Sequence, residues 1–515
     1  MIGSAGEPAT AAAKGLQTAG LTGTPRDQFN AGLAFEDDQE VRHVELAEAL
    51  PELGTSSWQV FPDGRMETTY RLKPGLAWHD GTALSAEDFS FALRVYKVPE
   101  YGSSSPRPQN LIERIGATDD RTFTVFWSQP FPEAGGLLAA QLQALPRHIL
   151  ADAVDRLAPD VFAAHPYWTT EYIGLGPYRI DNWQHGVSID AVAFDRYVRG
   201  APRIERIRFV FITDANTSMA NLLAGSVHVA VNKSVRFNEG LVLMRQWSEG
   251  TVLVRTDGSR TAEFQLHPER VSPGLAGTLD VRVRRALAHA TDKQAISDTV
   301  FEGHGRIADT RVEPHLSYFP QVDQSITKYP YDLRRAEQLM TEAGYRKGTD
   351  GTYVSAVGVR FEGEDWIGFT AESELMQQIT TNAWRTAGFD IRPRSLSAIE
   401  QRDSRLRAER PGFYTGDGGT LLTLGSDNIP RAENRFTGSN RGSYSNQEFD
   451  RFLDVWNTAL DQNERVQAIV RMARISSDDL PSIPINYILQ ITPHVNTLKG
   501  VKAGVIDIHL WQWIS

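Results

Sequence analysis

Two stretches of this chain carry residue types suited to holding a ligand. Pro411-Gly412-Phe413-Tyr414-Thr415-Gly416-Asp417-Gly418-Gly419-Thr420 sets two aromatics and one carboxylate among four glycines. Glycine lets a backbone approach a ligand closely, an aromatic ring supplies flat contact area, and a carboxylate holds a cation. Asn434–Tyr444 places Arg435, Asn440 and Arg441 among small residues. For both the alternative is a solvated loop. Catalytic signatures are missing: there is no G-x-x-x-x-G-K-[ST] phosphate loop, no H-E-x-x-H zinc helix and no G-x-S-x-G elbow. Gly303-His304-Gly305-Arg306-Ile307-Ala308 fits G-x-G-x-x-A but follows a predicted helix instead of a strand, which reads as a helix-ending turn. His79-Asp80 lies in a Trp-His-Asp-Gly turn, where the aspartate steadies the turn. The 64 acidic residues offer many carboxylate pairs, so a glycoside or peptide hydrolase stays open as an alternative.

Composition narrows the field. The chain has 515 residues, 41% hydrophobic and 23% charged, with a net charge of −11. That length suggests roughly three domain-sized units. The acidic balance argues against a nucleic-acid partner, which needs clustered Lys and Arg. No run of about 18 apolar residues is present to cross a membrane. There is no cysteine, which removes disulfides, thiol catalysis and Cys-ligated zinc. No metal site and no cofactor are expected. The first residues lack the basic and apolar regions of a signal peptide.

The elements that must position these residues are mixed. Met66–Leu72 alternates as a half-buried strand, and Thr122–Trp127 is β-rich. Ser85-Ala86-Glu87-Asp88 opens a helix that Ser85 is expected to cap. Pro99–Pro108 reads as a surface loop. Ile204–Thr213 is strand-like, and Asp214 caps a helix with Met219, Leu222 and Leu223 inward and Gly225 at its end. Thr251–Thr256 is a strand. Helices begin at Asp280 and Asp292, and Asp332–Ala343 has a complete helical pattern ending at Gly344. Ser445-Asn446-Gln447-Glu448 reads as a capping box. Trp78, Trp384 and Trp456 read as packing residues. Val505–Ile514 reads as a terminal strand with Trp511 and Trp513 on one face. The fold class is α/β in several units, with a late strand returning to an earlier sheet.

One stretch is distinctive: Tyr70-Arg71-Leu72-Lys73-Pro74-Gly75-Leu76-Ala77-Trp78-His79-Asp80-Gly81-Thr82-Ala83-Leu84-Ser85-Ala86-Glu87-Asp88-Phe89. It resembles a signature of the family 5 extracellular solute-binding proteins, the peptide- and nickel-type receptors of ABC importers. Four further blocks follow in family order: Gly174-Leu175-Gly176-Pro177-Tyr178, Asp214–Gly225, Asp280–Leu287 and Tyr444–Asp450. Gly6-Glu7-Pro8 resembles the segment after the family's first strand, which implies a targeting segment upstream of Met1.

The resemblance implies a two-lobed α/β clamshell of the type II periplasmic-binding-protein kind, with an extra domain in the first lobe. Lobe I would hold residues 1–57, 171–262 and 490–515, the extra domain 58–170, and lobe II 263–489. It implies a periplasmic or cell-surface receptor without catalysis, a monomer, which captures a peptide-like solute in an interlobe cleft. The receptor would then deliver it to a membrane permease; an oligosaccharide or metal chelate is the alternative cargo. For a peptide, Asp417 would hold the amine with Phe413, Tyr414 and Gly416 beside it, and Asp427 is the second candidate. Arg435 and Arg441 would meet the ligand carboxylate. Gly176 would shape a turn near the cleft.

Overall fold

A computed structural model describes residues 1–16, 23–101, 107–368, 371–504 and 507–514. The chain divides into two compact units. The first holds Met1–Arg255, Thr458–Leu460 and Gln490–Ser515; the second holds Thr256–Asn457 and Asp461–Leu489.

In the first unit the strand Ile2–Ser4 lies parallel to Arg206–Phe211 on one side and Val229–Val231 on the other. Ser188–Ala193 and Tyr178–Gln184 extend the sheet antiparallel. A separate antiparallel sheet runs Trp58–Val60, Met66–Arg71, Thr122–Trp127, Ile112–Ala117. Its expected alternation is present: Met66, Thr68 and Tyr70 are buried while Arg71 is exposed. The helix Glu87–Tyr96 covers this sheet, with Phe89 stacked on Phe123 at 4.6 Å.

In the second unit Asp390–Leu396, Glu362–Gly368 and Phe413–Asp417 run parallel. Tyr414–Asp417 pairs on its other side, antiparallel, with Arg260–Glu263. The helices Ala371–Ala387 and Gln462–Asp479 belong to this unit.

Capping aspartates explain the helix starts that the sequence marks at four positions. Asp214, Asp280, Asp292 and Asp332 each accept backbone N–H groups of the first turn. Gly225, Gly303 and Gly344 follow their helices at φ of +68°, +80° and +87°, where a side chain would be strained.

Several expectations are corrected. Ser85 does not cap its helix. Asp88 is buried and its Oδ2 instead accepts from the Ser85 N–H at 2.9 Å and the Ser85 hydroxyl at 3.2 Å. Asn446, not Ser445, caps the helix Gln447–Thr458, accepting from the Glu448 and Phe449 N–H groups. In Ala215–Leu223 the buried side chains are Ser218 and Leu222, and Leu223 is exposed. The stretch around Thr251–Thr256 extends to Glu263. The glycine-rich Pro411–Thr420 segment has a strand at its centre, because strands on both sides supply ladder partners that local sequence does not reveal. The terminal strand shrinks to Gln512–Trp513, paired among the described residues with Leu498–Lys499; Trp511 is buried and Trp513 half-exposed. Of the expected Pro99–Pro108 loop, residues 102–106 lie outside the described residues, as do 505–506 of the terminal segment.

Candidate functional site

Two polar clusters stand out, one in each unit, and the first is built by residues that the motifs place. In the first unit, His79 is buried and its ring joins two motif blocks. Nδ1 accepts the Gly174 N–H at 3.1 Å and Nε2–H donates to the Gly176 carbonyl at 3.0 Å. Those partners fix the neutral tautomer. Burial pushes the imidazole down to about 4, against the pull of the Gly176 carbonyl. Asp80 accepts from the Thr82 N–H at 2.9 Å, as the turn reading expects. Gly176 is packed on backbone: its N–H donates to the Phe29 carbonyl at 3.1 Å, and a Cβ there would stand 2.3 Å from the Asn30 nitrogen. That makes Gly176 a packing position in this structure.

The second cluster surrounds the strand Phe413–Asp417. Successive side chains of a strand point to opposite faces, and the contacts follow that rule. On one face Phe413 is 1% exposed and packs on Trp384 and Phe264, at 5.1 and 5.3 Å between ring centroids. Thr415 donates to the buried Asp365 carboxyl at 3.0 Å. Burial pushes Asp365 up to about 7, while the Thr415 and Gln377 hydrogen bonds pull it down. Asp417 ends this face, its side chain 58% exposed and 3.8 Å from Arg260, which hydrogen-bonds the buried Glu372.

On the other face Tyr414 pairs in register with Glu263. One Glu263 oxygen accepts from Arg410 Nη2 at 3.2 Å, and the other stands 3.8 Å from Arg311. Arg311 donates to Ser482 Oγ at 2.9 Å and to the Gly418 carbonyl. Arg410 Nη1 donates to the carbonyls of Arg407 at 2.9 Å and Arg441 at 3.2 Å, and its guanidinium lies 5.7 Å from the Tyr414 ring centroid. Burial first, and then repulsion from Arg407, push Arg441 below the ordinary arginine value.

The expected site residues are thus partly gathered. Tyr414 and Arg441 share one cluster; Asp417 is on the opposite face of the same strand, next to Gly416; Phe413 is in the core. Asp427 is exposed in a short 3-10 turn. Arg435 is exposed at φ +53°. Asn440 is buried and fully bonded, donating to the carbonyls of Leu424, Gly425 and Tyr444 and accepting the Tyr444 N–H. It shapes the loop that presents Arg441. Glu263, Arg311, Arg407 and Arg410 are additions that sequence reading missed. The signal was present as Arg402, Arg405, Arg407 and Arg410 within nine residues of an acidic chain.

Among the described residues no group of three His, Asp or Glu side chains is gathered to hold a metal ion. Nor is any helix long and apolar enough to cross a membrane.

Known proteins place these features. The chain is 24% identical over 495 residues to heme-binding protein A of Haemophilus influenzae, covering 89% of this chain and 83% of that protein. To the dipeptide-binding protein of Escherichia coli it is 23% identical over 500 residues, covering 92% and 87%. Among solved structures, NikZ of Campylobacter jejuni with Ni(L-His) matches with a TM-score of 0.81 at 19% identity, over 99% of this chain and 98% of that one. AppA of Bacillus subtilis with a nonapeptide matches with a TM-score of 0.79 at 19% identity, over 100% and 98%. The fold is therefore the mixed α/β fold of periplasmic binding proteins. Residues 48–429 match the model "Bacterial extracellular solute-binding proteins, family 5 Middle", and the hydrolase alternative falls with that match. The chain belongs to this family of non-enzymatic receptors and is a substrate-binding protein of an ABC importer.

Proposed function

We propose that the solute is peptide-like and that the strand Phe413–Asp417 presents the groups that hold it. The supporting observation is Asp417, a 58% exposed carboxylate at the end of a strand whose Phe413 and Thr415 are locked in the core. A carboxylate on a rigid element loses little freedom when it meets an ammonium group. In this reading Asp417 holds the ligand's amine at the strand's end beside Gly416, while Tyr414 and Arg441 belong to the strand's other face and do not share that contact. The receptor works in the periplasm or at the cell surface and hands its cargo, chemically unchanged, to a membrane permease. The relatives named for dipeptide binding and for a nonapeptide complex support a peptide cargo.

Mass spectrometry of solutes that co-purify with the native protein tests the cargo: peptides of mixed sequence are expected, and a single sugar species would overturn the reading. Calorimetric titration with trialanine and N-acetyl-trialanine tests the residue. Asp417→Ala is expected to weaken trialanine binding about tenfold or more and to leave the acetylated peptide unaffected. Equal affinities of both proteins for trialanine would remove Asp417 from the site.

A further inference from the structure

Within the second unit lies a cavity of about 20 Å³, which Lys293 and Arg311 line together with Ala288, Ala473 and Pro484. That volume admits one water-sized guest and little more. An ammonium carries three donors, and Lys293 Nζ uses two, on the Ala308 carbonyl at 2.9 Å and Asp309 Oδ1 at 2.8 Å. A guanidinium carries five, and Arg311 uses three, two on Ser482 Oγ and one on the Gly418 carbonyl. The remaining donors of both meet no acceptor among the described residues, although the two side chains are only 9% and 3% exposed. The charges are unequal as well. Lys293 is paired with Asp309, while Arg311 and Arg410 share Glu263, at 3.8 and 3.2 Å. Burial pushes Lys293 and Arg311 below their ordinary values; Asp309 and Glu263 pull them back, and Arg410 repels Arg311 further. A water in the cavity would satisfy donors and leave the surplus positive charge buried, which is costly. An anion answers both needs.

We propose that this cavity is a structural site for one monatomic halide ion, chloride or its congener bromide, held between the Lys293 ammonium and the Arg311 guanidinium. A carboxylate or phosphate group exceeds the space, so the guest is not the cargo and the inference does not rest on the peptide reading. The ion sits where three elements meet. Lys293 opens the helix Lys293–Val300, Ala473 belongs to the helix Gln462–Asp479, and Pro484 to the strand that begins at Ser482. A guest bound only by the folded unit stabilises it by mass action. The stability of this unit therefore depends on which salt is present as well as on how much. Screening of exposed charges, by contrast, follows ionic strength alone.

The direct test is a crystal of the full chain grown in sodium gluconate and soaked in sodium bromide, with data collected at the bromine absorption edge. An anomalous peak between Lys293 and Arg311 is expected; a cavity without one, or one that holds water, overturns the site. Thermal unfolding gives a second readout. Gluconate is too large for the cavity, so replacing it by chloride at equal ionic strength should raise Tm saturably, by about 3 °C or more. Ala473→Val fills the cavity and leaves both cations in place, and it should unfold alike in the two salts. Lys293→Met removes one of the two cations and should lose the shift too. Arg392→Gln, on the exposed edge strand, controls for loss of a positive charge and should keep the parent's shift. Equal Tm of the parent in both salts overturns the proposal, and so does an undiminished chloride shift in either folded cavity variant. Should neither variant fold, the bromide peak and the parent's salt comparison decide.

Discussion

The His79 clasp of the first unit and the arginine group of the second both bury polar atoms, but only one of them is matched. His79 is neutral, and each ring nitrogen meets one backbone group of the Gly174–Gly176 turn. Nothing there is left over for a ligand, so the cluster's task ends at holding two chain segments together. Around Glu263 the count fails in charge and in donors. Matched buried polarity holds the scaffold at His79, whereas around Glu263 the Nε donors of Arg407, Arg410 and Arg441 are left without a partner.

The largest break in this comparison comes from Glu263→Gln. The substitution keeps the shape and removes the one carboxylate between Arg410 and Arg311, whose side chains are 1% and 3% exposed. Two buried guanidiniums then lack a counter-charge, which costs about 3–5 kcal/mol. A fall of that size is expected in urea denaturation followed by a fluorescence probe in the second unit. A loss below about 1 kcal/mol would show that water already screens this cluster.

The His79 clasp should respond to acid instead. Its folded value, about 4, lies below the ordinary histidine value of 6.5. Between those limits the unfolded chain binds the proton that the folded chain refuses, so the clasp's contribution is complete above pH 6.5 and is lost as pH falls toward 4. Glu45, which burial pushes up to about 7, works the other way in the same unit, costing stability as pH rises from its ordinary 4.5. The difference between parent and His79→Gln isolates the histidine. The destabilisation caused by the substitution is expected to shrink by roughly 3 kcal/mol between pH 7 and pH 4. A difference that does not vary with pH would mean that His79 titrates normally.

How much of this was legible depended on sequence distance. Caps at Asp214, Asp280, Asp292 and Asp332 were readable because each aspartate acts on residues two or three positions away. Ser85 and Ser445 were misread for local reasons: the Ser85 hydroxyl is spent as a donor to Asp88, and Asn446 takes the first-turn N–H groups in place of Ser445. The strand Phe413–Asp417 was hidden because its ladder partners come from Arg260–Glu263 and Asp365–Ile367, and its glycines look like loop. The role of the Asp280–Leu287 block was equally remote. Arg284 donates to the Asp479 carbonyl at 2.7 and 2.9 Å and Arg285 to Asp478 at 2.8 Å, closing the C-terminus of the helix Gln462–Asp479. There cations meet the negative end of a helix, which no spacing within the block could reveal. In the site, Asp417 and Tyr414 were legible as chemistry, but their placement on opposite faces of one strand required its register.

Asp417 gives the smallest effect on stability and the sharpest contrast with Glu263. Both are carboxylates beside arginines on paired strands, yet Asp417 is 58% exposed and Arg260 has the buried Glu372 as its hydrogen-bonded partner. Removing an exposed charge from such a pair alters stability by about 0.5 kcal/mol or less. Asp417→Asn should therefore unfold in urea with the parent while its affinity for trialanine falls. A carboxylate that matters to binding and not to folding belongs to the ligand. If Asp417→Asn instead loses stability on the scale of Glu263→Gln, Asp417 is part of the scaffold and the amine must be held elsewhere.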